Sequence, residues 1–505
     1  MTHSAESTPA TAASDGPSGN AAASERSDKL PRHHRNVIAL LLVAAFVVIL
    51  NETVMSVALP VLQGDLGIEP AVGQWLTTAF MLTMAIVIPT TGFLIRRITT
   101  KTLFVAAMSL FSTGTAIAFF SQDFAVLLLG RIVQASGTAI MMPLLMTTVL
   151  TLVPPARRGQ MMGNISIVIS VAPALGPTLS GFIIEHFGWH WIFGFVLPIA
   201  LVSLALGARW IVPVTEIGHA RIDLLSIPLA ALGFGGLVYG LASIGESAES
   251  PAVLPPWVFF TVGALSLLVF LLRQIFLQRN DRALLDLRVF SSRIFSVSMV
   301  AMLLSSLTLF GVIILIPLYA QNVLGFDPLV TGLITLPGGL LMGIAAPFIG
   351  RIYDRRGPRP LVIPGTILVS IALWTLYLVS STTTSVWWLV VANISMSVGL
   401  AATFTPVMTS GLGSLRPHLY SHGSAVLSTF QQVAAAAGTA LFVTVLSVGT
   451  ATAVADGAAD IDGMLAGVRS AFLVGGFVSF ALIVAGIFVT KPANELSPEV
   501  AHAGH

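Results

Sequence analysis

"GRIYDRRGPRPLV", residues 350–362, and "GFLIRRITTKTLF", residues 92–104, are two versions of one loop. Each puts a glycine at the end of an apolar run, follows it with a tight basic turn and re-enters an apolar run. A bilayer crossing needs about 20 mainly apolar residues. Counted by that rule, the first-half copy follows the second run and the second-half copy follows the tenth. The offset is eight runs, where a simple duplication of six would give six. Two six-span halves with two further spans inserted between them have that spacing, and the inserted pair is expected to lie outside the core the halves share.

Fourteen such runs lie between residues 37 and 489. The chain is 55% hydrophobic and 9% charged, with a mean hydropathy of +0.92; soluble domains carry about 25% charged residues. This is an integral, all-α membrane protein. Basic residues favour cytoplasmic loops. With the N-terminus inside, 22 of the 24 Lys and Arg fall on that side; Arg469 falls outside and Arg131 within a span. Asp65, Glu69, Asp123, Glu246, Glu249, Asp327 and Asp456 lie in the opposite loops. Both termini are therefore expected in the cytoplasm. The domain division is 1–36, a disordered tail; 37–212, the first half; 213–293, two inserted helices and a cytoplasmic linker; 294–490, the second half; and 491–505, a second tail.

Several function classes drop out. The net charge of +2 gives no basis for nucleic-acid binding, and without cysteine there are no thiolate metal sites. The lysines are Lys29, Lys101 and Lys491, and none belongs to G-x-x-x-x-G-K-[ST], so no P-loop hydrolyses ATP here. H-E-x-x-H and G-x-S-x-G are absent too. No enzyme activity, cofactor or metal is expected. His186 and His190 have i, i+4 spacing but lie in an outer loop, and "RHHR" (32–35) is first an interfacial basic cluster. The strip "QRNDRALLDLRVFSSR" (278–293) is either a short amphipathic helix on the membrane surface or an ordinary basic loop. Gly236/Gly240 and Gly339/Gly343 have the GxxxG spacing, read as packing within one bundle, and a monomer is expected.

Two charges stand inside spans. Glu52, in "VVILNETVMSVALP" (47–60), is the single deep carboxylate, and Arg131 the single deep base. Intramembrane charges are costly, face the bundle interior and mark function; the alternative is a polar residue merely buried among helices. Counted from the span ends, both lie about 10 Å below the outer surface, so they can pair. Burial favours the protonated carboxyl and a nearby guanidinium the ionised one, which makes the pair a candidate for proton coupling. Trp75, Gln134, Asn393 and Gln431 are candidate substrate contacts, with interhelical hydrogen bonding or interfacial anchoring as the alternative.

The loop pair resembles the signature loop of the major facilitator superfamily, and fourteen spans are similar to its drug:proton antiporters. Gly350, Asp354, Arg355, Gly357 and Arg359 follow the loop pattern, whereas Arg96 stands where the first-half copy should carry Asp and Thr99 where it should carry Gly. "LNETVMSVALP" (50–60) resembles the first-span signature, with Asn51 at the acid position and Glu52 next to it. "RIVQASGTAIMMP" (131–143) keeps Arg131 and Gln134. "APALGPTLSGF" (172–182), with Gly176 and Pro177, resembles the fifth-span antiporter motif, and "GWHWIFGFVLPI" (188–199) the entry to the sixth span. The resemblance covers about residues 37–490. It implies a proton-coupled secondary transporter in a bacterial inner membrane that exports amphipathic drugs or antibiotics by alternating access. Glu52 and Arg131 would couple protons. Asn51, Gln134, Trp75, Asn393 and Gln431 would contact substrate, and the Gly176–Pro177 pair and second-half loop would serve conformational change. The alternatives are a dedicated exporter of one endogenous metabolite or lipid, or a non-transporting membrane sensor or scaffold. Asp354 at a helix C-terminus opposes the helix dipole. Arg355, Arg359 or a facing helix N-terminus is expected to compensate it.

Overall fold

A computed structural model describes residues 31–211, 223, 225–246, 255–280 and 282–492. These contain fourteen α-helices and no strand. In chain order they begin with α1 (Arg32–Leu66), α2 (Pro70–Arg97), α3 (Thr100–Phe119), α4 (Phe124–Leu152), α5 (Arg158–Phe187) and α6 (His190–Trp210). Next come α7 (Ser226–Glu246) and α8 (Pro256–Leu277). The last six are α9 (Arg293–Asn322), α10 (Pro328–Arg356), α11 (Arg359–Val379), α12 (Val386–Gly413), α13 (Tyr420–Ala455) and α14 (Asp460–Ile487). Thirteen are long and apolar enough to cross a membrane, and α7 contributes the shorter apolar stretch Ser226–Leu241.

The helices are apolar nearly all round, as elements surrounded by lipid and by one another must be. Their starts are set by capping: Thr99 accepts from the Thr102 N–H at 3.2 Å, Asp123 from Val126 at 2.9 Å and Ser292 from Phe295 at 3.2 Å. Gly357 ends α10 at φ 78°, a left-handed backbone that suits glycine. Gly350 and Gly92, expected at helix ends, lie inside α10 and α2. They are instead sites of close helix approach. A Cβ on Gly92 would meet Ala425 Cβ at 3.1 Å and the Ser421 carbonyl at 3.2 Å, and one on Gly350 would strike the Gly159 carbonyl.

Packing repeats with an offset of eight. In the first set α1 packs on α4, α5 and α6, α2 on α4, and α3 on α4 and α6; α9 packs on α12, α13 and α14, α10 on α12, and α11 on α12 and α14 in the second. Two seams join the sets, α5 against α10 and α2 against α13. Helices α7 and α8 pair with each other, and α7 lies along the outside of α2 and α13. Small residues set the spacing, as lipid-embedded helix contacts require. Gly236 abuts Gly263 of α8, while Gly339 and Gly343 abut Ala174 and Val171 of α5. Both GxxxG pairs thus pack within the bundle.

Burial is lopsided. At the basic end of the bundle every residue from Gly399 to Gly413 of α12 is buried, as is every residue from Tyr420 to Thr429 of α13. On α4 the same holds from Gly137 to Leu150 apart from Met142. At the opposite end none of the α13 residues beyond Leu446 is buried. The bundle is closed on its basic side.

Two expectations change in detail. Residues 1–30 and 493–505 lie outside the described residues, and "RHHR" forms the first turn of α1 rather than part of the tail. The strip 278–293 forms no amphipathic helix. It holds two 3-10 turns, Gln278–Asn280 and Leu287–Ser291. Its apolar side chains Ala283, Leu284, Leu285 and Val289 are buried in the bundle, and Gln274 Oε1 takes the Leu284 and Leu285 N–H groups at 2.7 and 3.3 Å where the chain bends.

Candidate functional site

Arg131 is the hub of the first helix set. It is 1% exposed, and no chain of this composition buries a guanidinium without placing acceptors around it. Its Nη1 donates to Gln134 Oε1 at 2.7 Å, one helical turn along α4, and to Asn51 Oδ1 on α1 at 3.2 Å. Gln134 Nε2 donates in turn to Thr115 Oγ1 on α3 at 2.7 Å, and Thr115 to the Phe111 carbonyl at 2.6 Å. From α2, the Phe80 ring lies 4.1 Å below the guanidinium carbon, a cation–π contact. One side chain thus ties α1, α2, α3 and α4 together. The Nε of Arg131 and Nδ2 of Asn51 are buried donors with no acceptor among the described residues.

Glu52 stands apart from these bonds. Among the described residues it makes no hydrogen bond and no ion pair, although it interacts electrostatically with Arg131. Its direction follows from helix geometry. Val43 and Val61 are 50% and 39% exposed and lie on one face of α1, five turns apart. Glu52 is nine residues, two and a half turns, from each, which puts it on the opposite face. It points away from lipid, half-buried, into the bundle. The next residue, Thr53, packs where a Cβ on Gly176 of α5 would sit, and Ser180 Oγ donates to the Val54 carbonyl at 3.1 Å. Gly176 therefore lets α5 lie against the stretch of α1 that carries the carboxylate. Pro177 continues α5; its side chain lies outside the described residues.

The other polar candidates are not gathered here. Trp75 is 41% exposed and stacks on Tyr239 of α7, ring centroids 5.6 Å apart. Asn393 is buried on α12 against Gly338 of α10, with Oδ1 unpartnered among the described residues. Gln431 is half-buried on α13. Phe80 and Thr115 complete the hub and carry no mark in the sequence: an aromatic and a threonine inside apolar spans give no signal until their helices are packed.

The second site is the stretch that joins α10 to α11, residues 350–362. Asp354 Oδ1 accepts the Gly159 N–H at 2.7 Å, and Oδ2 the Gln160 N–H at 2.9 Å. The carboxylate thus caps the N-terminus of α5 across the seam, where unpaired N–H groups and the helix dipole favour an anion. Of the compensations expected for Asp354, the facing helix N-terminus is the one present, while Arg355 and Arg359 are exposed. Lys491 Nζ donates to the Asp354 carbonyl at 3.0 Å, bringing the segment after α14 onto the same point. Gly159 is required: its Cβ would lie 2.6 Å from Tyr353 Cδ1.

Apolar helices meeting along two seams that are fastened at one membrane face are the construction of a helical membrane transporter. Residues 41–439 match the family model described as Major Facilitator Superfamily, and the chain belongs to that superfamily. The lincomycin resistance protein LmrB of Listeria monocytogenes is 38% identical over 460 residues, 90% of this chain and 96% of its own length. The multidrug resistance protein B homolog of Mycobacterium tuberculosis is 28% identical over 437 residues, 85% of this chain and 80% of its own. Among solved structures, the proton:xylose symporter XylE superposes with a TM-score of 0.61 at 14% identity, over 92% of this chain and 98% of its own, a likeness of fold. The chain is a multi-pass cell-membrane transporter.

Proposed function

We propose that this transporter exports amphipathic drugs or antibiotics in exchange for protons, as a monomer in a bacterial inner membrane. The observation that carries the coupling is Glu52: a carboxylate on the lipid-averse face of α1, half-buried, beside a buried arginine whose own bonds go to neutral acceptors. Such a group exchanges a proton without dismantling the hub around it. The names of the 38% and 28% identical relatives support the substrate class. The two halves, residues 37–212 and 294–490, rock against each other about the α5–α10 and α2–α13 seams, with 213–293 inserted, so that a midplane cavity faces each side in turn. Asp354 on the α5 N-terminus fastens the closed basic side, with Gly350, Gly357, Arg355 and Arg359 shaping that loop. Asn51 and Gln134, buried in the Arg131 hub, brace the wall behind Glu52 and reach substrate only if the hub rearranges, and Trp75, Asn393 and Gln431 contribute contacts farther from it.

The test is a growth-inhibition panel with and without expression, followed by accumulation in proteoliposomes. Export of several unrelated amphipathic compounds that requires an imposed pH gradient supports the reading. Resistance to a single compound, or accumulation that ignores the gradient, counts against it.

A further inference from the structure

The α2–α13 seam is fastened by different chemistry from its counterpart. Where Asp354 meets a helix N-terminus in the α5–α10 seam, the corresponding loop of α2 carries Arg96, whose Nη1 lies 3.1 Å from Nε2 of His422 on α13. A guanidinium can only donate, so Nε2 is the acceptor and the ring proton sits on Nδ1. That nitrogen faces the linker: the Leu284 carbonyl is the acceptor within its reach, and the Asp286 N–H points at it from 3.4 Å, a contact this tautomer leaves unbonded. His422 is 1% exposed. The linker is tied back to the inserted helices by Gln274, whose Nε2 donates to Ser226 Oγ at 2.7 Å while its Oε1 holds Leu284 and Leu285. One imidazole therefore joins α2, α13 and the inserted segment at the closed face.

The charged groups around His422 set the sign of its response. Arg96 faces it from α2, and Asp286 and Arg288 face it from the linker. Asp286, 1% exposed, is already engaged by Arg288 at 2.6 and 2.9 Å. From α5, Arg158 lies 5.3 Å over the Tyr420 ring and gives its N–H groups to the Leu150 and Val153 carbonyls. Asp286, which favours the imidazolium while sharing its charge with Arg288, is the one carboxylate among the described residues that acts on the ring, against the two guanidiniums of Arg96 and Arg288.

We propose that His422 is an acid-released fastening of the α2–α13 seam. Neutral, it accepts from Arg96 and donates to Leu284; protonated, its Nε2–H and its charge confront the guanidinium, and the basic side opens at this seam. Acid therefore favours the open form, and the closed form holds where the imidazole is neutral. The purpose of the device rests on the transport reading, but its test does not.

The chain contains no cysteine, so Lys101→Cys with Arg416→Cys places two spin labels across the basic face of the full-length protein. Distances are measured in lipid nanodiscs without substrate from about pH 8 to about pH 4, low enough to charge a buried imidazole that faces a guanidinium. The expected result is a growing long-distance population on acidification. H422Q, whose amide can still accept from Arg96, and R96Q, which lacks the opposing charge, each show a clearly smaller shift than the parent pair, the remainder coming from protonation of the Asp354 latch in the other seam. An unchanged distribution in the parent pair, or an equal response in H422Q, overturns the proposal. Should H422Q fail to fold, an undiminished response in R96Q overturns it alone. Lost export with the distance response intact would count against the transport reading and leave this fastening standing.

Discussion

Arg131 is bonded to Asn51, the neighbour of the residue that carries the charge. Its Nη1 reaches the Asn51 amide oxygen at 3.2 Å, while the Glu52 carboxylate projects about 100° further round α1. The buried arginine is thereby satisfied by neutral groups, and the carboxylate keeps its access to the bundle interior. The scaffold and the proposed proton carrier sit on adjacent residues, which allows them to be tested separately.

Glu52→Gln removes the titrating group and keeps the shape. Each proton moved inward releases about 2.3 kcal/mol per 100 mV of membrane potential, and a side chain that cannot titrate passes none of it to the substrate. Substrate binding is expected to persist and uphill accumulation to vanish. Tracer uptake against a gradient in proteoliposomes measures this; near-parental accumulation would place the carrier elsewhere.

Arg131→Ala acts on the scaffold first. It leaves the Asn51 and Gln134 side-chain oxygens without a donor and opens a space under Phe80. An orphaned buried polar group costs about 1–3 kcal/mol, so a clear fall in Tm in detergent is expected along with loss of coupling. Glu52→Gln should leave Tm nearly unmoved. Equal destabilisation by the two would contradict the division between hub and carrier.

Asp354→Asn keeps one acceptor for the α5 N-terminus but loses the charge, an interaction worth about 0.3–1 kcal/mol at a helix end and up to about 2 when partly buried. The closed basic side is weakened, so turnover should fall while substrate affinity stays nearly constant. Gly159→Ala should weaken the same seam more strongly, since its Cβ would press on Asp354 and Tyr353. Parental turnover in both variants would remove the latch role.

The inserted helices carry a pH-dependent tie. Asp223 accepts from Arg273 at 2.6 and 2.7 Å and from Ser226 Oγ at 2.5 Å. The Arg273 bonds hold its carboxyl below the usual range, ahead of the opposing effect of burial. A depressed carboxyl stabilises the fold above its unfolded value, about 3.9, and the contribution is lost as pH falls through the lower folded value. Arg273 is 34% exposed, so solvent screening limits the pair to under about 1 kcal/mol. Asp223→Asn should lower Tm slightly at neutral pH and not at all in strong acid. A Tm difference that persists in strong acid would show that the charge is not the cause.

The sequence by itself determined the number of apolar runs, the side that carries the basic residues, the eightfold offset of the loop copies and the two intramembrane charges. These are properties of single segments in a solvent that tolerates little polarity, so each span and each buried charge is visible along the chain. Only the tertiary structure decided which side chains meet. That Arg131 binds Asn51, that Trp75 stacks on Tyr239, and that the linker's leucines enter the bundle all depend on the rotation and spacing of helices that are apolar on every face. An evenly apolar helix carries no stripe to fix its rotation. Glycine contacts such as Gly159 with Asp354 set that rotation, and they exist only once two helices separated by nearly 200 residues are side by side.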